Sequence, residues 1–279
     1  MHKTFFSTIA ALLILIVMGC NNSSTNEKSD SMAQFTADSS FKKAHEKPEA
    51  INFQGRGEMA EFPTPDGGKG KAYVIKPAQA TQNYLLVVHE WWGLNDQIKR
   101  EAERLADSLG NVTVMALDLY DGKLTDNPDE AGKLMGAVKP ERCEAIIKGA
   151  LGMADKAGKI ATIGWCFGGG WSLRSSILAG ERGAGCVIYY GMPVEKASEL
   201  APLKADVLGI FAKKDGWIND KVVNKFEGLA KATGKKLEVQ WYDADHAFAN
   251  PSSPRYNEQA AREANKKTLV FLRNSFKNR

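Results

Sequence analysis

The sequence is short of the residues that build metal, redox and nucleic-acid sites. Its 279 residues hold four histidines and four cysteines. His2, His45, His89 and His246 are scattered, and no set of ligands has the close spacing of a metal motif, so neither metal nor cofactor is expected. No Cys-x-x-Cys pair occurs, which speaks against a thiol redox protein. Basic residues are dispersed: a formal charge of +4 without a cluster of lysines and aromatics excludes nucleic acid as the expected partner. There is no apolar run of the roughly 20 residues that a resident membrane helix needs. Neither an internal repeat nor a domain boundary after residue 55 is visible.

What is there begins with an export-like start. Lys3 precedes a mostly apolar run from Phe5 to Met18, closed by Gly19-Cys20 and followed by a polar stretch. Val17-Met18-Gly19-Cys20 resembles a bacterial lipoprotein signal. Residues 1–19 are expected to be removed, with Cys20 lipidated as the mature N-terminus in the cell envelope, facing the periplasm or exterior. Simple signal-peptidase cleavage to a secreted product is the alternative. Residues 20–52 are polar and aperiodic and read as a flexible tether, in which His45 is a solvated side chain. Residues 53–279 form the domain. Its short apolar strands alternate with helix-period segments, which predicts an α/β fold with a mostly parallel sheet and helices on both faces. The expected elements include a hairpin around PTPDGGKG, a strand over Lys159–Trp165 and a long helix over Pro254–Phe276.

The chemistry centres on KIATIGWCFGGGW (159–171). A buried strand ends there on Cys166, and glycines follow. Gly164-Trp165-Cys166-Phe167-Gly168 matches the nucleophile elbow of α/β-hydrolases with sulfur in place of oxygen. The N–H groups and dipole of a helix starting behind the thiol favour a thiolate and an oxyanion. Asp215, in AKKDGW, and His246, in DADHAF, each follow a separate apolar strand. The order Cys166, Asp215, His246 is therefore nucleophile, acid, base, with Asp243 and Asp245 as other partners for the histidine. Phe167 and Trp91 are the expected backbone donors to an oxyanion. Glu90 ends the strand Tyr84–Glu90 where the oxyanion loop begins, a place from which it can influence the thiol; His89 faces the other way.

Together, VVHEWWG (87–93), ALDLY (116–120), GWCFGG (164–169), FAKKDGW (211–217) and HAF (246–248) resemble the dienelactone hydrolase, or carboxymethylenebutenolidase, family over about Phe53 to Phe276. The resemblance implies an α/β-hydrolase in which Cys166, Asp215 and His246 form the triad, Glu90 governs the ionisation of the thiol, and Trp91 and Phe167 supply the oxyanion site. Members acting on dienelactone hold its carboxylate with two arginines. The corresponding places here are Tyr120-Asp121-Gly122-Lys123 and Asn250. Lys123 is the remaining candidate clamp. Trp91, Trp92, Phe167 and Trp217 are expected to wall an apolar pocket, with Tyr120, Lys123 and Asn250 around it. The expected substrate is a small neutral ester or lactone, opened through an acyl-thioester, and the expected membrane contact is the lipid on Cys20. A non-enzymatic envelope binding or scaffold protein that keeps the fold is the competing function; it predicts an unreactive Cys166 and an occluded mouth.

Overall fold

The computed structural model describes residues 1–2 and 31–277. The expected signal segment and the lipidation residue Cys20 lie outside the described residues.

Eight strands form one sheet in the order β1-β2-β4-β3-β5-β6-β7-β8. The hairpin β1 (Glu58–Pro63) and β2 (Lys69–Ile75) is antiparallel, as is β2 to β4 (Thr113–Leu117). The rest, β3 (Asn83–Val88), β5 (Lys159–Trp165), β6 (Gly183–Tyr189), β7 (Asp206–Ala212) and β8 (Leu237–Tyr242), run parallel with β4. Leu85, Leu86, Val87 and Val88 are all fully buried. Because successive strand residues point to opposite faces, both faces of the central sheet must be covered.

The covering helices are α1 (Ser39–Ala44), α2 (Asp96–Leu109), α3 (Pro128–Gly136), α4 (Pro140–Met153), α5 (Phe167–Ala179), α6 (Ala197–Leu200), α7 (Asp220–Ala232) and α8 (Glu258–Lys277). Asn95 caps α2 by accepting from the Ile98 N–H, which satisfies one of the orphan donors of the first turn. The long terminal helix starts later than its proline predicts. Residues 251–255 are turns, and Asn257 accepts from the Ala260 N–H at 3.0 Å, so α8 begins behind an asparagine cap.

The tether expectation fails for residues 31–45. Ser31–Phe35 is a 3₁₀ turn and α1 follows, capped by Asp38. Met32 and Phe41 are buried to 1% and 0% exposure, and His45 is buried at 7% rather than solvated. The physical reason is apolar anchoring, chiefly by Phe41 and also by Met32. Phe41 packs between Phe35, Trp91 and Trp217, with ring centroids 5.2–5.5 Å away, and draws the polar helix around it onto the domain.

Candidate active site

Parallel register levels the strand ends. Val88 pairs with Gly164, Trp165 with Tyr189, Tyr189 with Ile210, and Ala212 with Tyr242. The residues just beyond β3, β5, β7 and β8 therefore emerge on one edge, where ligands of open α/β sheets bind. Those residues include Glu90, Cys166, Asp215 and His246.

Cys166 sits at φ 54°, ψ −119°, between β5 and α5. A non-glycine residue on this side of the map stores about 1–3 kcal/mol of strain, held by the packing around it. That packing needs glycine at two places. A Cβ on Gly164 would lie 2.0 Å from the Gly168 carbonyl oxygen, and one on Gly168 would lie 2.3 Å from that of Val88. The elbow thereby places the sulfur at the N-terminus of α5, where the Phe167 N–H donates to it. Burial pushes the Cys166 thiol up, and His246 opposes that shift.

His246 Nδ1 donates to Asp215 Oδ2 at 2.5 Å, with both side chains buried. Asp215 Oδ1 accepts from the N–H groups of Trp217 and Ile218, both at 2.9 Å. Burial works against the Asp215 charge, yet His246 and these N–H groups hold its pKa below the ordinary value. Burial likewise disfavours charged His246, but the Asp215 carboxylate and the Cys166 sulfur outweigh it and raise the imidazole well above 6.5. The other two aspartates are engaged elsewhere: Asp243 pairs with Lys214 and Asp245 with Arg255. His246 Nε2 has no hydrogen-bond partner and lies within 4.8 Å of the sulfur.

Glu90 is fully interior, and burial raises its carboxyl to about 7 against the opposing effects of Asn250 and His246. Asn250 Nδ2 donates to Glu90 Oε2 at 2.5 Å, while its Oδ1 accepts from the backbone N–H and hydroxyl of Ser252. The asparagine at this position thus holds Glu90, in addition to lining the cavity over Cys166. A carboxyl whose folded pKa exceeds its ordinary 4.5 prefers the protonated state on folding. Its cost is absent below pH 4.5 and grows as pH rises to about 7, reaching about 3 kcal/mol above that. Denaturant unfolding at pH 5 and pH 8 should show this loss in the native chain and not in Glu90→Gln, which keeps the Asn250 contact; parallel curves for the two proteins would refute it.

His89 points away, as expected. Its Nδ1 donates to the Glu90 carbonyl at 2.6 Å and its Nε2 accepts from the Leu119 N–H at 3.2 Å, bridging the ends of β3 and β4. Burial lowers it to about 4, so it is a neutral structural imidazole. Cys143 and Cys186 are buried and in no disulfide; Cys143 Sγ donates to the Leu119 carbonyl at 3.7 Å, and burial raises the Cys186 thiol to about 11.

Four expected pocket residues do not line the cavity over Cys166. Trp217 packs edge-on against Phe41 with ring centroids 5.2 Å apart, and the Phe167 ring lies on His89 at 5.6 Å. Tyr120 packs on His89 and Phe167 at 4.7 and 5.1 Å, and with Lys123 it lines a separate cavity of about 160 Å³. Gly93, at φ 89°, turns the chain after Trp92 against the Lys123 carbonyl, so that loop lies beside the oxyanion loop rather than over the sulfur. The cavity over Cys166 is lined by Trp91, Trp92, Glu90, Asn250 and, from the N-terminal segment, His45 and Pro48; its volume is only about 10 Å³. A much roomier depression, about 630 Å³, lies beside α8 and β8 and contains none of the strand-end groups.

Sequence reasoning missed Tyr190, Phe41 and His45. Tyr190, at φ 37°, packs its tilted ring 4.9 Å from that of His246. His45 lies 4.9 Å from the His246 ring and 4.7 Å from that of Trp91, with its Nε2 4.0 Å from Cys166 Sγ. Tyr190 was legible as a strand terminus; the other two carried no local signal.

A strained elbow at the end of a central parallel strand, facing a carboxylate-held histidine from another strand end, defines an α/β-hydrolase. The chain belongs to the dienelactone hydrolase family, whose profile matches residues 71–276. It is 28% identical over 230 residues to Protein usf of Aquifex pyrophilus, covering 78% of this chain and 98% of that one. To the carboxymethylenebutenolidase of Pseudomonas putida it is 29% identical over 225 residues, 74% of this chain and 92% of the relative. The fold is also that of a dienelactone hydrolase-like promiscuous phosphotriesterase from metagenomic libraries: TM-score 0.64 at 19% identity, covering 78% of this chain and 98% of that structure.

Proposed function

We propose that this chain hydrolyses small neutral esters or lactones through an acyl-thioester on Cys166. The observation that carries the reading is the aligned set Asp215, His246 and Cys166: a 2.5 Å bond fixes one imidazole nitrogen and leaves the other facing the sulfur. The membership in the dienelactone hydrolase family supports the reaction class. Attack forms a sulfur–carbon bond as the carbonyl opens, and the thiol proton passes to His246 Nε2. The N–H groups of Phe167 and Trp91 receive the oxyanion. Collapse breaks the carbon–oxygen bond, and His246 returns the proton to the departing alkoxide. Water, deprotonated by His246, then attacks the thioester and releases the acid and the free thiol. At rest the thiol is held neutral by burial, which makes ionisation a step coupled to substrate binding rather than a standing state.

Neutral substrates are favoured because, among the described residues, no lysine or arginine lines the cavity over Cys166, whereas Glu90 and Glu46 do. Mass spectrometry after brief exposure to an activated ester should find the acyl group on Cys166. An acyl group on a serine, or none during turnover, would remove the mechanism. Paired kcat/KM values on one neutral and one anionic lactone should favour the neutral one; a tenfold preference for the anion would refute the charge argument. The export reading, with Cys20 lipidated at the cell envelope, is proposed alongside, supported by the apolar run and Gly19-Cys20. A lipid-modified N-terminal mass at Cys20 tests it.

A further inference from the structure

We propose that His45, Cys166 and His246 together form a binding site for a single thiophilic metal ion, with Zn²⁺ as the reference ion, and that the bound ion latches the N-terminal segment over the nucleophile. One ligand atom from each of these buried residues lies within 4.8 Å of the other two. Two imidazoles and one thiolate are the donor set of a borderline-soft d¹⁰ ion. No sequence spacing announces it, because His45 comes from outside the hydrolase domain.

The outer hydrogen bonds are those of a metal site. His45 Nδ1 donates to the Phe41 carbonyl at 2.7 Å, and His246 Nδ1 donates to Asp215. Each bond commits the Nδ1 atom, so Nε2 is the nitrogen each ring can offer a metal; His45 Nε2 lies 4.0 Å from the sulfur, and a ring nitrogen of His246 lies within 4.8 Å of it. A second observation is the orphaned polar groups: His246 Nε2 and Glu90 Oε1 are buried and without a hydrogen-bond partner. The cavity that Glu90, His45 and Cys166 share, about 10 Å³, holds one ion or water and no ester. Tetrahedral zinc, with bonds of about 2.0–2.3 Å, sets its donors roughly 3.3–3.7 Å apart. The three donors must therefore draw in by about an ångström, which His45 can do by settling further with its short helix. Binding needs the sulfur as thiolate and His246 Nε2 as a free base: the sulfur–hydrogen bond breaks, a sulfur–metal bond forms, and the thiol proton, with the Nε2 proton where His246 is charged, leaves to solvent. No oxidant or reductant is needed. Ion and substrate compete for the same sulfur, so a filled site is a closed enzyme.

The inference shares residues with the proposed mechanism but does not require Cys166 to be a nucleophile, and its test reads no turnover. The reduced, chelator-treated protein should bind one equivalent of Co²⁺, with a thiolate-to-cobalt charge-transfer band and the strong visible bands of a tetrahedral ion. Zn²⁺ should then displace the cobalt. Cys166→Ala should lose the charge-transfer band. His45→Gln, which keeps the bulk of the side chain, should bind Zn²⁺ at least about tenfold more weakly. Because that variant can also loosen the segment, protection is read separately: Zn²⁺ should slow proteolysis between residues 31 and 48 in the native chain and not in His45→Gln. A protein that takes up no stoichiometric metal, a cobalt spectrum without the thiolate band, or equal affinity in His45→Gln overturns the site. A cobalt-silent protein that still turns over esters overturns this inference alone; a native chain that binds cobalt, whose chelator-treated Phe41→Ala form hydrolyses no ester, overturns the catalytic reading alone.

Discussion

Replacing Cys166 by alanine should lower kcat/KM for an activated ester by at least about 10³-fold while the folded state persists. In the proposed mechanism the sulfur forms and releases the acyl bond, so its loss leaves the oxyanion donors with only residual rate enhancement. His246→Ala should lose a similar factor, and the double variant should lose little more, because the two act as one unit. Thermal unfolding supplies the control. Alanine keeps the strained φ of 54°, so its midpoint should stay near that of the native chain, whereas Cys166→Gly relieves the strain at the same loss of activity. Native rates in Cys166→Ala would end the mechanism.

Loosening the N-terminal segment should raise activity by about tenfold or more, because with the segment docked no ester fits above the sulfur. Phe41 is the chief anchor, and truncating a fully buried phenylalanine costs about 3–5 kcal/mol of packing. That cost falls on docking rather than on the sheet, so Phe41→Ala should shift the population toward the open form. Alkylation of Cys166 should accelerate by a similar factor, and residues 31–48 should become protease-sensitive. Here the scaffold alternative is put to trial. The closed mouth it expects is present, but the segment closes it rather than the domain. If Phe41→Ala frees the segment and Cys166 stays unreactive, the hydrolase reading fails.

The same docking should weaken in acid. Burial, together with the facing charges of His246 and Arg255, lowers docked His45 from 6.5 to about 3, against the opposing pull of the Phe41 carbonyl and Asp215. The docked state therefore prefers neutral His45. Its advantage is complete above pH 6.5 and falls about tenfold per unit as pH drops toward 3. Hydrogen exchange of the Phe41 and Lys42 amides, corrected for intrinsic rate, should speed up between pH 7 and pH 5.5 in the native chain and stay level in His45→Gln. A flat native profile would show that His45 does not titrate on release.

Most of the hydrolase frame was written locally. The strand Lys159–Trp165 stands where an apolar run bounded by glycines predicts it, because burial on both faces demands such a run. Cys166, Asp215 and His246 could be placed from their positions after three separate strands, since parallel strands bring their carboxyl ends to one edge whatever the loops between them do. The choice of Asp215 over Asp243 and Asp245 was decided only by the assembled loops, where the nearer two find lysine and arginine partners. Lys123 and Tyr120 were misplaced because a polar excursion has no period, and the direction of its turns depends on what it packs against. His45 was the least legible. It meets Cys166 across 121 residues of sequence, carried by a six-residue helix with one buried anchor. Residue patterns register repeated burial along an element; a single phenylalanine in a polar stretch repeats nothing, so only the packing of Phe41 against Trp91 and Trp217 could bring that histidine to the sulfur.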